Sequence, residues 1–80
     1  MSKDEVLKKV QEIVSEYTGL PQESVTPNAE LGTDLNIGSL DKIDIFVRFE
    51  DEFKIQFTDD DVYEDITIDD IVETILKKSL

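Results

Sequence analysis

The residue with the clearest potential for chemistry is Ser39, which follows Gly38 at the predicted start of a helix. Free backbone amides and the positive end of the helix dipole favour a phosphate group at such a position. The chain has no His, and no Lys is spaced to act as a general base, so Ser39 is not expected to be a nucleophile of its own. Two interpretations stay open: an ordinary helix N-cap, or a site where another enzyme attaches a phosphate-linked group.

The 20 Asp and Glu residues offer a second kind of chemistry, the binding of cations. Four residues partly follow the ligand spacing of an EF-hand calcium loop: Asp34, Asn36, Gly38 and Asp41. The required Gly comes one place early, however, and Ile45 stands where a bidentate Glu is needed. Asp59–Asp61 with Glu64 indicates at most loose, diffuse cation binding. No pair of carboxylates is singled out for acid–base catalysis, so we expect neither a dedicated metal site nor an enzyme.

Length and composition exclude several other classes of protein. The 80 residues contain no Cys and no His, which excludes a disulfide framework, thiolate or imidazole zinc sites and the serine triad. The net charge of −12 repels nucleic acid and anionic membranes and favours partners with basic surfaces. Apolar runs are too short for a membrane span or a signal peptide. We therefore expect a single domain over residues 1–80, monomeric, cytoplasmic and without membrane insertion.

Apolar residues recur at three- and four-residue spacing in three segments, which predicts three longer helices. The first, from about residue 3 to 17 behind a Ser2–Glu5 capping box, has the apolar positions Val6, Leu7, Val10, Ile13, Val14 and Tyr17. The second, opening at Ser39, has Leu40, Ile43, Phe46, Val47, Phe49 and Phe53. The last, opening at Thr67, has Ile68, Ile71, Val72, Ile75 and Leu76.

These helices predict an all-α fold, a small four-helix bundle of three longer helices and one short helix. The short helix is expected at Thr58 and the three acids after it, where a cap is followed by acidic first-turn residues. The connection over residues 18–38 is much longer than the roughly 2–8 residues usual in bundles. Spaced apolar residues are expected to pin this long first loop across the helices: Leu20, Val25, Leu31, Leu35 and Ile37.

The negative charge is concentrated in one part of the sequence. Residues 30–73 hold fifteen acids and three bases, which gives the whole net charge of −12, because the acids and bases of the remaining residues cancel. Ordinary solvated helix faces would have the same composition. The concentration around Ser39 instead favours a negative side of the bundle that attracts basic partners.

One stretch of the sequence runs from Leu35-Asn36-Ile37-Gly38-Ser39-Leu40-Asp41 through Ile43-Asp44-Ile45 to Glu50-Asp51-Glu52-Phe53. This stretch resembles the acyl carrier proteins. In that family an Asp-Ser-Leu motif opens the second helix, which ends in an acidic run and a Phe. The resemblance extends over nearly the whole chain, from the capped first helix to the last helix after Ile66-Thr67.

The resemblance implies a carrier rather than an enzyme. A phosphopantetheinyl transferase would join 4′-phosphopantetheine to Ser39, and the thiol of that arm would hold acyl groups as thioesters in fatty acid or related specialised (polyketide or lipid) biosynthesis. Four acids match those that meet basic patches on partner enzymes: Asp41, Asp44, Glu50 and Asp51. Residues that would shelter an acyl chain, which core packing explains equally well, are Ile45, Phe46, Phe49, Ile55, Ile66 and Ile71.

The sequence departs from the family pattern at Gly38, where Asp normally precedes the modified Ser. The change removes a carboxylate and a preferred helix cap, although Gly is tolerated there. An alternative interpretation is therefore an acidic module that binds basic partner enzymes without a prosthetic group. Lys42 and Arg48 also interrupt the acidic face, which indicates a partner set different from that of a housekeeping fatty-acid carrier.

Overall fold

The computed structural model describes residues 1–79 and contains three α-helices: α1 (Lys3–Thr18), α2 (Ser39–Phe53) and α3 (Ile68–Lys78). Single turns of 3-10 helix lie at Gln22–Ser24 and at Asp59–Asp61. Over the described residues the β-structure is limited to one isolated bridge between Glu30 and Thr67. The all-α prediction is confirmed, whereas the expected short fourth helix is only a 3-10 turn. None of the helices described is long and apolar enough to cross a membrane.

Helix α1 begins and ends as its sequence predicts. Ser2 Oγ accepts a hydrogen bond from the Glu5 amide at 3.2 Å, and Glu5 Oε1 accepts one from the Ser2 amide at 3.0 Å. Gly19 stops the helix with φ of 80°, a left-handed conformation that suits glycine. The buried face of α1 consists of Val6, Val10, Ile13 and Val14, and it packs against both α2 and α3.

Helix α3 is fixed at its start by a second capping box. Thr67 Oγ1 accepts from the Asp70 amide, and Asp70 Oδ2 accepts from the Thr67 amide, each at 3.1 Å. These two bonds satisfy amide groups that a helix start otherwise leaves without partners. The buried residues of α3 are Ile68, Ile71, Val72 and Ile75, in agreement with the predicted periodicity.

Helix α2 differs from the prediction in which residues it buries. The residues in the core are Ile45, Phe46, Phe49 and Phe53. Leu40, Ile43 and Val47 are exposed by 79%, 62% and 54%, although the sequence placed them on the same apolar face as Phe46. With 3.6 residues per turn, these three share a face that lies well away from Phe49 and Phe53. Helix α2 therefore has two apolar faces, of which the core covers one.

The long first loop is held in place by its own buried side chains and by the backbone before α3. Four of the five residues expected to pin it are buried, namely Val25, Leu31, Leu35 and Ile37, and Leu20 is half-buried. Three backbone bonds join the loop to the start of α3: Leu31 N to Ile66 O (3.1 Å), Ile68 N to Ala29 O (3.0 Å) and Asp69 N to Pro27 O (2.9 Å). This anchoring fixes where the chain enters α2.

Candidate functional site

Ser39 is the first residue of α2 and its side chain is exposed. The N-cap is Gly38, whose carbonyl accepts the Lys42 amide at 2.9 Å. Within residues 1–79, Ser39 Oγ has no hydrogen-bond partner, and no side chain caps α2. Ser39 is thus not the helix N-cap, one of the two interpretations of its sequence position. Its hydroxyl is free to react at a helix start that favours a phosphate.

The backbone before Ser39 is positioned by the end of the long loop. Leu35 and Ile37 are buried, and between them Asn36 adopts a left-handed conformation with φ of 57°. The Ile37 amide donates to Leu31 O at 2.9 Å. Because Ile37 is held by both its side chain and its amide, the chain reaches Gly38 and Ser39 from a fixed point. The position of the Ser39 hydroxyl is therefore set by the anchored end of the long loop.

An open groove of about 480 Å³ begins at Ser39 and lies between α2 and the segment over residues 57–64. Its lining is Ser39, Lys42, Ile43, Phe46, Val47, Glu50, Phe57, Thr58, Asp59, Val62, Tyr63 and Glu64. Phe46 forms part of the wall and meets Phe57 edge-to-face, with ring centroids 4.9 Å apart. The groove thus combines aromatic and aliphatic side chains with Ser39 and with charged residues, among them Lys42, Glu50 and Asp59, a mixture usual in sites that bind small molecules.

Most residues expected to shelter an acyl chain lie elsewhere. Ile45, Phe49, Ile66 and Ile71 have no solvent exposure and belong to the packed core. Ile55 is half-buried against that core. Phe46 alone of the six lines the groove. The space beside Ser39 is therefore a surface groove bordered by α2, and the residues that sequence reasoning missed are the exposed Ile43 and Val47 and the segment across from them.

The four acids expected to meet partner enzymes divide into two groups. Asp41, Asp44 and Asp51 are exposed, and their spacing places them along one face of α2. Glu50 is half-buried, and its Oε2 accepts a hydrogen bond from the Phe57 amide at 2.8 Å. None of the four forms an ion pair with a Lys or Arg of residues 1–79. Three carboxylates thus stay available to an external cation, while Glu50 also stabilises the groove wall.

Two residues beside these acids influence their electrostatics. Arg48, which interrupts the acidic face in the sequence, pairs with Glu16 of α1 at 3.1 Å. Tyr17 Oη is within hydrogen-bond distance of Asp41 Oδ1 (3.1 Å) and Asp44 Oδ2 (3.4 Å), and its single proton serves one of them at a time. Desolvation and the two carboxylates raise the pKa of Tyr17. The phenol therefore holds Asp41 and Asp44 near the end of α1.

The structure also shows how the acids considered as cation ligands are used. Asp34 Oδ2 accepts the Glu30 amide at 2.8 Å. Asp61 Oδ2 accepts the Thr58 amide at 2.7 Å and lies 2.9 Å from Lys78 Nζ. The Thr58 amide and then the Lys78 ammonium lower the pKa of Asp61. In the part of the chain that the structure describes, no three carboxylates come close enough together to hold a metal ion.

Comparison with known proteins places this geometry in a family. The family described by a phosphopantetheine attachment site matches residues 8–75. The acyl carrier protein of Thermotoga maritima is 40% identical over 77 residues, covering 96% of this chain and 95% of that relative. The acyl carrier protein of Cyanidioschyzon merolae is 38% identical over 82 residues, covering 100% and 90%. A solved structure of the acyl carrier protein from Enterococcus faecalis agrees with a TM-score of 0.83 at 30% identity, covering 99% of this chain and 100% of that one. The chain therefore belongs to the acyl carrier protein family.

Proposed function

We propose that Ser39 is the residue of this acyl carrier that bears the 4′-phosphopantetheine group. As a member of its family the chain is a phosphopantetheine-bearing acyl carrier. The observation that supports Ser39 is its exposed hydroxyl, which has no partner within the described residues and stands at the first turn of α2. The residues around it suit the group, because an amide-rich helix start accepts a phosphodiester and a groove with apolar residues in its walls lies beside it.

The proposed attachment is a phosphoryl transfer from coenzyme A. Ser39 Oγ forms the new bond to phosphorus, and the pyrophosphate bond of coenzyme A breaks to release adenosine 3′,5′-bisphosphate. The hydroxyl proton passes to a base on the phosphopantetheinyl transferase, since this chain has no His and no side chain of residues 1–79 is hydrogen-bonded to Ser39. The bound group supplies the thiol that a chain without Cys lacks, and thioesters of acyl groups form on it.

The decisive experiment is modification in vitro. The protein is incubated with coenzyme A and a broad-specificity phosphopantetheinyl transferase, and its intact mass is measured. We expect the wild type to gain one phosphopantetheine group and Ser39→Ala to gain none. Ser24→Ala is the matched control, because Ser24 is also exposed, and it should be modified like the wild type. A wild type that stays unmodified, or an Ser39→Ala variant that is modified, would refute the proposal.

The same experiment separates this proposal from a module that binds partners without a prosthetic group. The only sequence feature behind that alternative was Gly38. At Gly38 the backbone is extended, and the position of an added Cβ is in open space. Glycine at this position therefore does not alter the helix start, and Ser39 beside it is exposed among the described residues. The family match and the free hydroxyl together favour the modified carrier.

We further propose that Asp41, Asp44 and Asp51 form the docking surface for the transferase and for acyl-processing enzymes with basic patches. Their carboxylates are exposed and have no ion-pair partner within residues 1–79. The exposed Leu40, Ile43 and Val47 add apolar contact area next to them. Opposite charges across such an interface mainly increase the association rate.

Two charge-matched variants test the docking surface. Asp44→Asn/Asp51→Asn changes the net charge from −12 to −10 on α2, and Asp4→Asn/Glu23→Gln makes the same change outside α2 at exposed positions. We expect the first variant to slow association with the transferase about two- to tenfold at low salt and the second to have much less effect. Equal effects of the two would show that only net charge matters.

The remaining parts of the proposal concern the state of the protein. We propose that residues 1–80 act as one carrier domain, monomeric and cytoplasmic, in fatty acid or related specialised biosynthesis. The core supports the single domain, because buried residues from all three helices and the long loop form one cluster. Light scattering of the unmodified and modified protein should give the mass of one chain, and a dimer would contradict the monomer.

A further inference from the structure

Lys42 is the single cation among the residues that line the groove. It lies on the first turn of α2, three residues after Ser39, and is half-buried. Its Nζ donates a hydrogen bond to the carbonyl oxygen of Glu64 at 3.2 Å. Because Glu64 belongs to the segment that forms the opposite wall, this bond joins the two sides of the groove next to Ser39.

A third segment packs over the same bond. A Cβ added at Gly32 would lie 3.7 Å from Lys42 Nζ and 3.7 Å from the Glu64 carbonyl oxygen. Gly32 of the long loop therefore lies next to this bond and leaves space of about one methyl group above it. Lys42, Gly32 and Glu64 come from three parts of the chain, and the Lys42–Glu64 bond lies where these parts meet.

The ammonium group is nevertheless poorly neutralised for a chain with a net charge of −12. Four of the eight bases, namely Lys3, Lys9, Arg48 and Lys78, lie within 4.0 Å of a carboxylate. Lys42 is one of the four that form no ion pair with residues 1–79, and among those four it is the one that lines the groove. Its partner is a neutral carbonyl, and a Lys ammonium has three N–H donors. The bond to Glu64 joins an ammonium to a neutral oxygen, whereas an anion placed nearby would add Coulomb attraction between opposite charges and would therefore compete with Glu64.

We infer that Lys42 is a switch between the Glu64 carbonyl and the phosphodiester that joins phosphopantetheine to Ser39. The inference rests on the proposed attachment at Ser39. Side chains at i and i+3 of a helix are neighbours, with about 5–6 Å between their Cβ atoms, so the flexible Lys42 side chain reaches the modified hydroxyl. In the unmodified chain Lys42 ties the segment 62–64 to α2. In the modified chain it binds the phosphodiester and releases that segment, so that the groove opens when the arm is present.

Nuclear magnetic resonance of the unmodified and modified protein tests the switch. The Asp65 amide shares its peptide group with the Glu64 carbonyl and reports its hydrogen bond, and the Ile66 amide, bonded to Tyr63 O at 3.2 Å, reports the order of the turn. In the wild type we expect modification to shift the Asp65 amide and to speed hydrogen exchange at Ile66 several-fold. Lys42→Met keeps the apolar stem but removes the charge, and it should show the released pattern before modification, with little further change.

Phosphorus resonances provide the second readout. The phosphodiester resonance should differ between the modified wild type and modified Lys42→Met. Lys42→Arg keeps the charge and the N–H donors, so its Asp65 and Ile66 amides should respond to modification as those of the wild type do. A wild type that takes up no phosphopantetheine by mass overturns the attachment at Ser39 and the switch with it. A wild type that is modified while its Asp65 and Ile66 amides stay unchanged overturns the switch alone. Equal changes on modification in the wild type and Lys42→Met also overturn it.

Discussion

Gly38 is the residue at which this chain departs from the family pattern, and the structure shows what the departure costs. Its φ of −73° and ψ of 173° are ordinary extended values that any residue adopts. An added Cβ would meet nothing within 4 Å. Neither the backbone nor its surroundings require glycine here. What the chain lacks is a side-chain acceptor for the first amides of α2.

Gly38→Asp should therefore stabilise the protein. A capping carboxylate and a less flexible unfolded chain together are expected to raise the free energy of unfolding by about 0.5–1 kcal/mol. Urea unfolding measures the change. Gly38→Ala is the control, because it restricts the unfolded chain without providing a cap. If Gly38→Asp were no more stable than Gly38→Ala, capping at this position would have no effect on stability.

Glu50 has a structural role beyond the docking role that its sequence position predicts. Glu50→Ala removes the acceptor of the Phe57 amide and should cost about 1 kcal/mol of unfolding free energy, since the bond is only partly protected from water. Glu50→Gln keeps an amide oxygen as acceptor and should cost less. Asp51→Asn, at the exposed neighbouring position, is the control for loss of a charge and should not lower stability, because it relieves repulsion and breaks no hydrogen bond to the Phe57 amide. Chemical denaturation compares all three, and equal stability of the Ala and Gln variants would contradict a role for the Phe57 bond.

At the scale of the elements, the sequence predicts local features well. The capping box of α1 and the opening of α3 at Thr67 come from residues a few positions apart, and the structure has both. Helix α2 shows where periodicity is insufficient. Leu40, Ile43 and Val47 repeat at helical spacing just as the core residues do, and the choice of buried face depends on α1 and the long loop. When a helix has two apolar faces, its sequence alone does not indicate which of them is buried.

The groove could not be predicted for a related reason. Its walls are joined by the bonds from Lys42 to Glu64 and from Phe57 to Glu50, which connect residues far apart or on separate elements. Such contacts depend on the final packing rather than on local propensity. The 3-10 turn at Asp59–Asp61 illustrates the same limit. Thr58 and the acids after it are typical of a helix start, but the apolar face of this segment is too small to stabilise a longer helix.

The ion pair between this 3-10 turn and the end of α3 predicts a pH dependence. Asp61 accepts the Thr58 amide and pairs with Lys78, which lowers its pKa in the folded protein. A lowered folded pKa contributes stability that is present above the unfolded pKa of about 4 and is lost as the pH falls through the folded value. The excess stability of the wild type over Asp61→Asn should thus be constant near neutral pH and shrink below about pH 4. Thermal unfolding across this pH range measures the difference in stability. The difference between the wild type and Lys78→Met should shrink below about pH 4 in the same way. A difference independent of pH would exclude the ionised carboxylate as its source.

At the scale of the whole molecule, a small core holds together a chain with strong self-repulsion. Arg48 and Lys9 pair with acids of α1 and α2, and Lys3 and Lys78 pair with acids around α3. The three proposed docking acids of α2 are left without such partners among the described residues. The proposed docking surface of Asp41, Asp44 and Asp51 is therefore also a place where repulsion between like charges is not relieved. The same charges that attract a basic enzyme thus lower the stability of the free protein.

Added salt should consequently raise the melting temperature. The protein measures 30 × 25 × 20 Å, and the Debye length falls from about 30 Å at 0.01 M salt to about 10 Å at 0.1 M. At the lower concentration charges interact across the whole molecule, and at the higher one mainly between neighbours. A relief of about 1 kcal/mol corresponds to a rise of about 4–8 °C for a domain of this size. Calorimetry of the wild type and of Asp44→Asn/Asp51→Asn tests the cause, because the variant carries less repulsion and should gain less from salt. The same rise in both proteins would assign the effect to general salt stabilisation instead of to the acidic face of α2.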